Sequence, residues 1–369
     1  MIHVLHVIGS LDMGGSQMFV LNLYNHIDRS KIQFDFIVRE GKKYLLEDKI
    51  QALGGKIYKL PALRLTNYLT YVSAWKKFFK EHPEYKVIHG HVRSTAAIYL
   101  RIAKSFGCKT ISHSHSTHNT QGLSAIVKAI LQFPIRFIAD YFFACSQAAG
   151  EWLFGDQIVK QNNFFVVPNA IDTAKFAYNL STRQKMRHKL NLENNFVVGH
   201  VGRLDIPKNH IFLLKIFAEV YKQNQQARLL LLGDGPLKQK LIAKTKELHI
   251  ESAVNFCGNQ YATDYYQAID VFVFPSLYEG LPVSLVEAQV NGLPCLIADT
   301  ITKQAKQTDL VHFMGLKQST QEWANKAVQI ADKQTSANRQ QAAKKMCQAG
   351  YDIKDVVKQF TTLVFGEEK

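Results

Sequence analysis

Two glutamates are the residues of this chain that most clearly suggest chemistry. Glu279 and Glu287 stand in the segment Phe274–Ala288. Gly280 and Pro282 should keep Glu279 outside any helix, and Pro282 can start a helix with Glu287 about one and a half turns in. A loop carboxylate can accept hydrogen bonds from hydroxyl groups, and one on an apolar helix needs a partner. The pair predicts a ligand site, although each alone could be a solvated side chain or a cap.

The predicted helix start also suits an anion. The N–H groups of Val283, Ser284 and Leu285 should lack acceptors within the helix, and anions bind well at such a start. The segment therefore predicts a phosphate site beside a site for hydroxyl groups.

A second cluster follows the predicted strand Phe196–Val201. It contains Arg203 and, five residues later, Lys208. Arginine can fork onto a phosphate, and lysine supplies a point charge. Two solvated surface cations are the alternative interpretation. Further on, Gly233–Pro236 predicts a tight strand-to-helix turn without chemistry of its own.

The first predicted strand is followed by paired glycines, Gly14 and Gly15, and then by Ser16. Glycines let the backbone approach a ligand, and Ser16 is a good helix cap. The spacing differs from the GxGxxG dinucleotide fingerprint. An ordinary strand-to-helix turn is the alternative.

Histidines 113, 115 and 118 alternate with small polar residues after another predicted strand. We expect His113 and His115 to point to opposite sides of the strand, and no Asp or Glu lies near enough in sequence to complete a metal-ligand set. The segment therefore predicts no metal site. A hydrogen-bonding histidine at the edge of a site and a plain surface loop both remain open.

The composition excludes several classes of protein. The chain has 369 residues, of which 47% are hydrophobic, so it can bury a large core. Five widely spaced cysteines without a CxxC pair suit a reducing, cytoplasmic setting, and no signal peptide or membrane span is predicted. The net charge of +15 favours phosphate-bearing partners, but no RNA-binding signature appears, so nucleic acid is not expected.

Short apolar strands alternate with helical patterns throughout, which predicts an α/β fold with parallel sheets. The polar stretch Asn169–Asn195 interrupts the pattern. We predict two Rossmann-like domains, residues 1–170 and 171–349, with a helix in 350–369 packing back on the first. Open α/β sheets bind ligands beyond the carboxyl ends of their strands, so two facing sheets would share a central cleft.

Taken together in their order along the chain, the motifs resemble those of retaining glycosyltransferases with the GT-B fold. The spacing of Glu279 and Glu287 is similar to the EX7E signature, and Gly202–Lys208, Gly233–Pro236 and Gly14–Gly15 resemble other motifs of glycosyltransferase family 4. The resemblance covers nearly the whole chain. Within that family, the chain is similar to bacterial enzymes that build exopolysaccharide, capsule or related surface glycans.

The resemblance implies a role for each residue. Arg203 and Lys208 would hold the donor pyrophosphate and stabilise the leaving nucleotide, so the reaction would need no metal and no cofactor beyond a UDP-sugar co-substrate. Glu287 would bind the ribose, Glu279 would bind the sugar hydroxyls, and anomeric configuration would be retained. The implied donor-binding residues are Gly14, Gly15, Gly202, Arg203, Lys208, Gly258, Glu279, Gly280, Leu281, Val283, Ser284 and Glu287.

The catalytic group implied by the resemblance is His113, Arg203, Lys208 and Glu279. His113 would face the transferred sugar, with His115 as the alternative. Three departures from the family pattern matter, and one is the spread of histidines over positions 113, 115 and 118. Gln17 stands near the usual position of a glutamate, which leaves Gln17 and His115 as acceptor-side candidates. Residues Ile301–Gln307 are basic and lack the usual glycine-rich loop and acidic residue.

These features predict a transferase that moves a sugar onto a glycan or a polyprenyl-linked acceptor. An anionic membrane surface is a possible partner, because positive charge is denser in the first domain and Ala125–Tyr141 is amphipathic. The enzyme would then be peripheral at the inner membrane face. A core helix pair is the alternative for that stretch. A non-catalytic GT-B subunit and a GT-B sugar-nucleotide epimerase are the alternative functions, and the EX7E frame argues against the second.

Overall fold

The chain folds into two compact units. The computed structural model describes residues 1–41, 43–115, 123–279 and 281–365. The first unit consists of Met1–Asn169 and Val356–Lys369, and the second of Ala170–Asp355. The chain therefore leaves the first unit once and returns to it near its end.

The first unit contains a seven-stranded sheet in which neighbouring strands run parallel, in the order β3-β2-β1-β4-β5-β6-β7. The order reverses between β1 and β4, where open sheets of this type form a crevice. Its strands are β1 Ile2–Val7, β2 Ile32–Arg39, β3 Ile57–Leu60, β4 Val87–Gly90, β5 Lys109–Ser114, β6 Tyr141–Ala144 and β7 Phe164–Val166. Its helices are α1 Gly15–His26, α2 Glu47–Ala52, α3 Tyr68–Glu81, α4 Ala96–Ser105, α5 Leu123–Gln132 and α6 Gln147–Phe154.

The second unit contains a six-stranded parallel sheet in the order β10-β9-β8-β11-β12-β13. Its strands are β8 Val197–Val201, β9 Arg228–Leu232, β10 Val254–Gly258, β11 Val271–Phe274, β12 Cys295–Ala298 and β13 Val311–Met314. Its helices are α7 Thr173–Phe176, α8 Leu180–Lys189, α9 His210–Gln223, α10 Lys238–Glu247, α11 Thr263–Ala268, α12 Val283–Val290, α13 Thr320–Asp332 and α14 Ser336–Gln348.

The last helix, α15 Ile353–Phe365, packs against the first sheet. The ring of Phe360 lies 5.9 Å from that of Phe34 on β2, and Lys109 Nζ donates a hydrogen bond to Val364 O at 3.0 Å. An apolar core that includes Trp75, Tyr99 and other large buried side chains also supports this sheet. Its strands are thereby held in fixed register, which fixes the side chains at their carboxyl ends.

The prediction of two parallel-sheet α/β domains is confirmed, with two corrections. The polar stretch between them contains α7 and α8, because its polar groups bind the second unit: Arg183 and Arg187 both form ion pairs with Asp270. Strand β13 was not predicted, since three apolar residues and a histidine after a polar loop give little pattern. β13 pairs with β12 at the sheet edge.

Candidate active site

A salt bridge joins two of the predicted site residues in the second unit. Lys208 Nζ lies 2.6 Å from Glu279 Oε1, and the two side chains are 16% and 17% exposed. The ammonium also lies 4.6 Å from the centre of the Phe274 ring. A largely buried lysine held by a carboxylate and an aromatic face is a positive charge in a fixed position.

Glycines make room for this lysine. A Cβ atom on Gly202 would lie 3.1 Å from Lys208 Cε. The turn after β9 presses on the same loop, since a Cβ on Gly233 would lie 2.1 Å from Gly202 O and one on Gly235 would lie 2.5 Å from Leu204 O. The Gly233–Pro236 turn therefore positions the lysine loop by close backbone packing.

The loop that carries Glu279 is tied to the lysine loop by the backbone. The Leu277 N–H donates to Pro207 O at 2.8 Å. Beyond Glu279, α12 begins at Val283 with Pro282 as its N-cap residue. Leu281 is buried, and Gly280 lies outside the described residues.

The predicted open helix start needs one correction. The N–H of Leu285 is not open, because it donates to Pro282 O at 3.0 Å in a tight first turn. Those of Val283 and Ser284 have no acceptor among the residues that the structure describes. Two N–H groups, rather than three, can face an anion.

Glu287 is buried on α12 and has the partner that its surroundings require. The hydroxyl of the fully buried Tyr266 donates to Glu287 Oε2 at 2.8 Å. Burial raises the pKa of Glu287 to about 7, and the hydrogen bond from Tyr266 acts in the opposite direction. The sequence predicted that a partner was needed but carried no local signal for Tyr266, which lies on another helix.

Two other predicted residues are placed differently. The side chain of Arg203 is 65% exposed, and its Nε lies 3.8 Å from Asp205 Oδ2. Burial raises the pKa of Asp205. Gly258 ends β10 with φ +69°, a left-handed conformation that favours glycine, and its carbonyl accepts a hydrogen bond from the Gly233 N–H.

In the first unit, the paired glycines open α1. The helix begins at Gly15 with Gly14 as its N-cap residue, so the predicted Ser16 cap is wrong. Ser16 Oγ instead donates to Gln17 Oε1 at 3.0 Å, and Gln17 Nε2 donates to Ser10 O at 3.1 Å. The Gln17 amide thus braces the turn between β1 and α1.

His113 and His115 stack on each other in the first unit, with ring centroids 4.0 Å apart. The expectation that they point to opposite sides is wrong, because side chains two positions apart along a strand share a face. His118 lies outside the described residues. A hydrogen-bonding pair at a strand end is therefore present.

Three further histidines, from β1 and the end of β4, complete a buried cluster. Sequence reasoning missed His6, His89 and His91, although two neighbouring predicted strands carry the same His-x-His pattern. His91 bonds His6 at 3.0 Å and His115 at 2.7 Å, and His89 bonds His113 at 3.1 Å. Burial, with the neighbouring imidazoles as a smaller cause, lowers the pKa of His6, His89, His91 and His113. Burial, with Arg93 as the second cause, lowers that of His115 to about 3. The cluster is neutral at pH 7.

Comparison with known proteins identifies the family. "Glycosyltransferase Family 4" matches residues 13–175, and "Glycosyl transferases group 1" matches residues 182–344. The chain is 32% identical over 361 residues to the putative glycosyltransferase EpsF of Bacillus subtilis, covering 96% of this chain and 94% of EpsF. The chain belongs to glycosyltransferase family 4.

A second relative and a solved structure are also similar to this chain. An Escherichia coli UDP-Gal:alpha-D-GlcNAc-diphosphoundecaprenol alpha-1,3-galactosyltransferase is 26% identical over 237 residues, covering 62% of this chain and 61% of that enzyme. The crystal structure of HepE from Anabaena in complex with UDP-glucose superposes with a TM-score of 0.80 at 20% identity, covering 98% of both chains. The predicted GT-B fold is confirmed.

In this family-4 glycosyltransferase, the divergent loop Ile301–Gln307 is anchored on α12. The buried Gln289 accepts hydrogen bonds from the N–H groups of Gln307 and Thr308 at 3.0 and 3.1 Å, and it donates to Ala305 O at 2.9 Å. A single glutamine on the helix that carries Glu287 thus orders the loop. The missing glycine-rich motif is therefore replaced by a defined structure.

Proposed function

We propose that this glycosyltransferase moves a sugar from a UDP-sugar to a glycan or polyprenyl-linked acceptor during bacterial surface polysaccharide synthesis, with retention of configuration and without a metal in the transfer step. The observation that carries the donor part is the Lys208–Glu279 ion pair, with α12 starting shortly after Glu279. It combines a fixed positive charge, a hydroxyl acceptor and open N–H groups.

Lys208 and Arg203 supply the positive charge for the leaving nucleotide. Lys208 is preorganised, since its ammonium is held by Glu279 and by Phe274. Arg203 is exposed, so its guanidinium can turn onto an arriving pyrophosphate. Positive charge already in place where negative charge develops lowers the barrier without reorganisation. The transfer step then requires no metal.

The two glutamates serve different parts of the donor. Glu279, in the loop, accepts hydrogen bonds from sugar hydroxyls while it keeps Lys208 in position. Glu287, on α12 beside Tyr266, accepts hydrogen bonds from the ribose hydroxyls. The N–H groups of Val283 and Ser284 bind the β-phosphate. The assignments of Gly14, Gly15 and Gly258 to the donor, and of His113 to the transferred sugar, follow from the family resemblance.

The acceptor and the pathway are proposed from relatives. The name of the E. coli enzyme states a UDP-galactose donor and a diphosphoundecaprenol-linked acceptor, and EpsF matches nearly the whole chain. An acceptor on a polyprenyl carrier requires an enzyme that works at a membrane surface. We place the reaction at the cytoplasmic face, with Gln17 and His115 on the acceptor side.

An exposed apolar patch in the first unit supports contact with a membrane. None of the helices in the described part of the chain has the length and hydrophobicity needed to span a bilayer. The patch spans the end of α5 and the residues that follow it, and it contains Ile130, Phe133 and Phe137, which are 66%, 53% and 75% exposed. The guanidinium of Arg136 lies 5.0 Å over the Phe133 ring. Apolar side chains beside a cation suit an anionic lipid surface.

Donor binding tests the main proposal. UDP-, GDP- and ADP-sugars are titrated into the wild type, Lys208→Ala and Glu287→Ala by calorimetry. Lys222→Ala is the matched control, since its side chain is 70% exposed and pairs only with the nearby Glu219 among the described residues. We expect UDP-sugars to bind the wild type and the control and to bind both site variants more weakly. Absence of donor binding, or wild-type affinity in both variants, would refute the donor site.

Two further measurements test the finer parts. NMR of the product's anomeric proton reports the configuration, and an inverted product would contradict retention. Vesicle flotation compares the wild type with Phe137→Ser, and Phe106→Ser serves as a control on another exposed aromatic of the first unit. We expect Phe137→Ser alone to weaken binding to anionic vesicles. Equal flotation of all three proteins would argue against this patch.

A further inference from the structure

We propose that His91, His113 and His115 form a binding site for a divalent transition-metal ion of the Zn²⁺ type. One ring nitrogen of each of the three lies within 4.8 Å of those of the other two. Three imidazoles with an open fourth position are a common zinc-binding arrangement. This site lies in the first unit, and it is separate from the charge that the donor site provides.

The sheet presents these histidines rigidly. β4 and β5 are parallel neighbours, and His89-x-His91 and His113-x-His115 both extend to or just past their carboxyl ends. The two-residue repeat of a strand places all four imidazoles on one face. A site built on adjacent strands needs little ordering before an ion binds.

Hydrogen bonds within the cluster leave nitrogen atoms available. His113 uses Nδ1 to bond His89, and its Nε2 has no partner among the described residues. The Nε2 of His6 and the Nδ1 atoms of His89 and His115 are buried without a partner in the same set. Leaving such groups buried and unsatisfied is unfavourable, so a ligand that engages His113 Nε2 is favoured.

A single proton shift prepares all three ligands. We assign the tautomers in which His91 donates from Nε2 to His6, His113 donates from Nδ1 to His89, and His115 donates from Nε2 to His91 Nδ1. When the proton of His115 moves to its Nδ1, lone pairs face the ion from His91 Nδ1, His113 Nε2 and His115 Nε2. All five imidazoles stay neutral, and no proton is lost. His6 and His89 then act as outer partners that orient two of the ligands.

The distances between the ligand nitrogens and the preference of imidazole indicate which ions can bind. Zinc–nitrogen bonds of about 2.0–2.1 Å in a tetrahedron place nitrogens roughly 3.3 Å apart. The 2.7 Å separation of His91 Nδ1 and His115 Nε2 must therefore widen by about 0.6 Å as the ion replaces the shared proton. Imidazole ligands favour Zn²⁺, Co²⁺, Ni²⁺ and Cu²⁺ over Mg²⁺ and Ca²⁺.

The half-buried position of His115 provides access. His6, His89 and His91 form a second group of comparable spacing, but all three are buried. His115 follows the end of β5 and is partly exposed, so an ion can arrive from solvent and keep a water as its fourth ligand. We therefore assign the metal site to the group formed by His91, His113 and His115. Because His113 Nδ1 bonds His89 and its Nε2 would hold the ion, a bound ion would keep this imidazole from hydrogen-bonding a transferred sugar.

Metal binding by the tag-free, chelator-treated full-length protein tests this site. Equilibrium dialysis against ZnCl₂ gives stoichiometry and affinity, and CoCl₂ gives a visible ligand-field spectrum that reports coordination. The variants are His115→Ala at the edge, His91→Gln in the centre, and His188→Ala as a control whose side chain is 85% exposed in the second unit. Circular dichroism checks that each variant is folded.

We expect about one Zn²⁺ per wild-type chain, a tetrahedral Co²⁺ spectrum, and no displacement by excess MgCl₂. His115→Ala and His91→Gln should bind more than about tenfold more weakly, since even outer-partner changes cost 10- to 100-fold. His188→Ala should bind like the wild type. The proposal is overturned if the wild type binds no Zn²⁺, if His115→Ala binds as tightly as the wild type, or if His188→Ala loses as much. His115→Ala decides the matter if His91→Gln does not fold.

Discussion

The two units pair the polar side chains near their strand ends in opposite ways. In the first, His6, His89, His91, His113 and His115 are packed together as neutral rings that bond one another. In the second, Lys208 and Glu279 carry full charges and neutralise each other. The histidines lie in or just past strands of a parallel sheet, and the ion pair lies in loops that follow such strands.

This difference indicates which unit is suited to bind a charged ligand. Neutral imidazoles offer lone pairs and hydrogen bonds, which suit an ion or an uncharged hydroxyl group. A lysine paired with one carboxylate can still donate to a phosphate, because its ammonium carries three N–H donors. We therefore expect the second unit to bind the donor's charge, and we expect pH to affect the stability of the two units in different directions.

The largest expected effect is acid destabilisation of the first unit. A histidine whose pKa is lowered by folding stabilises the protein above about pH 6.5, and that contribution is lost as pH falls toward the folded pKa. The loss is about 1.4 kcal/mol per histidine per pH unit. Five such groups in the first unit should therefore cost several kcal/mol by about pH 5.5, a large part of a typical stability of roughly 5–15 kcal/mol.

Amide hydrogen exchange in urea at pH 7.5 and 5.5, corrected for intrinsic rates, measures the stability of each unit separately and needs no mutation. Peptides of the first unit should lose more protection than those of the second, in which His200 and His210 are the buried histidines with lowered pKa. Equal losses in both units would contradict the comparison.

Lys208→Ala should have the next largest effect. It removes the preorganised positive charge and leaves Glu279 without its partner, so kcat should fall about 10²- to 10³-fold, which corresponds to roughly 3–4 kcal/mol. Steady-state kinetics with the best-binding UDP-sugar measures the loss. Lys222→Ala should keep wild-type kcat, and a loss in the control as large as in Lys208→Ala would show that the effect is not specific to the ion pair.

The sequence predicted more of the second unit than of the first unit's histidine cluster. Arg203, Lys208, Glu279 and Glu287 stand in motifs whose spacing is readable along the chain, and the strands that carry them were predicted with small errors at their ends. His6, His89 and His91 join His113 and His115 only through the order of strands in the sheet, which no local pattern reveals. Charged residues in a motif are visible, whereas neutral histidines inside apolar strands are not.

Glu287→Gln should stabilise the protein at alkaline pH. Folding raises the pKa of Glu287 from 4.5 to about 7. Its favourable contribution is present below the unfolded value and is lost as pH rises through the folded one. The stability gain from the neutral amide should thus grow by about 3 kcal/mol between pH 4.5 and 8. Urea unfolding at both pH values measures it, and a pH-independent difference would show that the carboxylate carries no such cost.

Tyr266→Phe should have the smallest effect. It is also the most specific test of the Glu287 site in the second unit. The hydrogen bond from Tyr266 favours the ionised form of Glu287, so its removal should raise the pKa of the carboxyl above about 7. Donor affinity at pH 7 should then fall about fivefold, as expected for roughly 1 kcal/mol. It should recover toward the wild-type value near pH 9, because Glu287 is again ionised there.

A Tyr265→Phe control on the same helix should leave the pH profile of donor binding unchanged. Tyr266→Phe affinity that is equally low at pH 7 and pH 9 would mean that the tyrosine only packs against α12. A shifted profile would instead show that Tyr266 positions and tunes the ribose-binding carboxylate. It would also place the pH response of donor binding in one buried carboxyl group of the second unit, in contrast to the shared response of five histidines in the first.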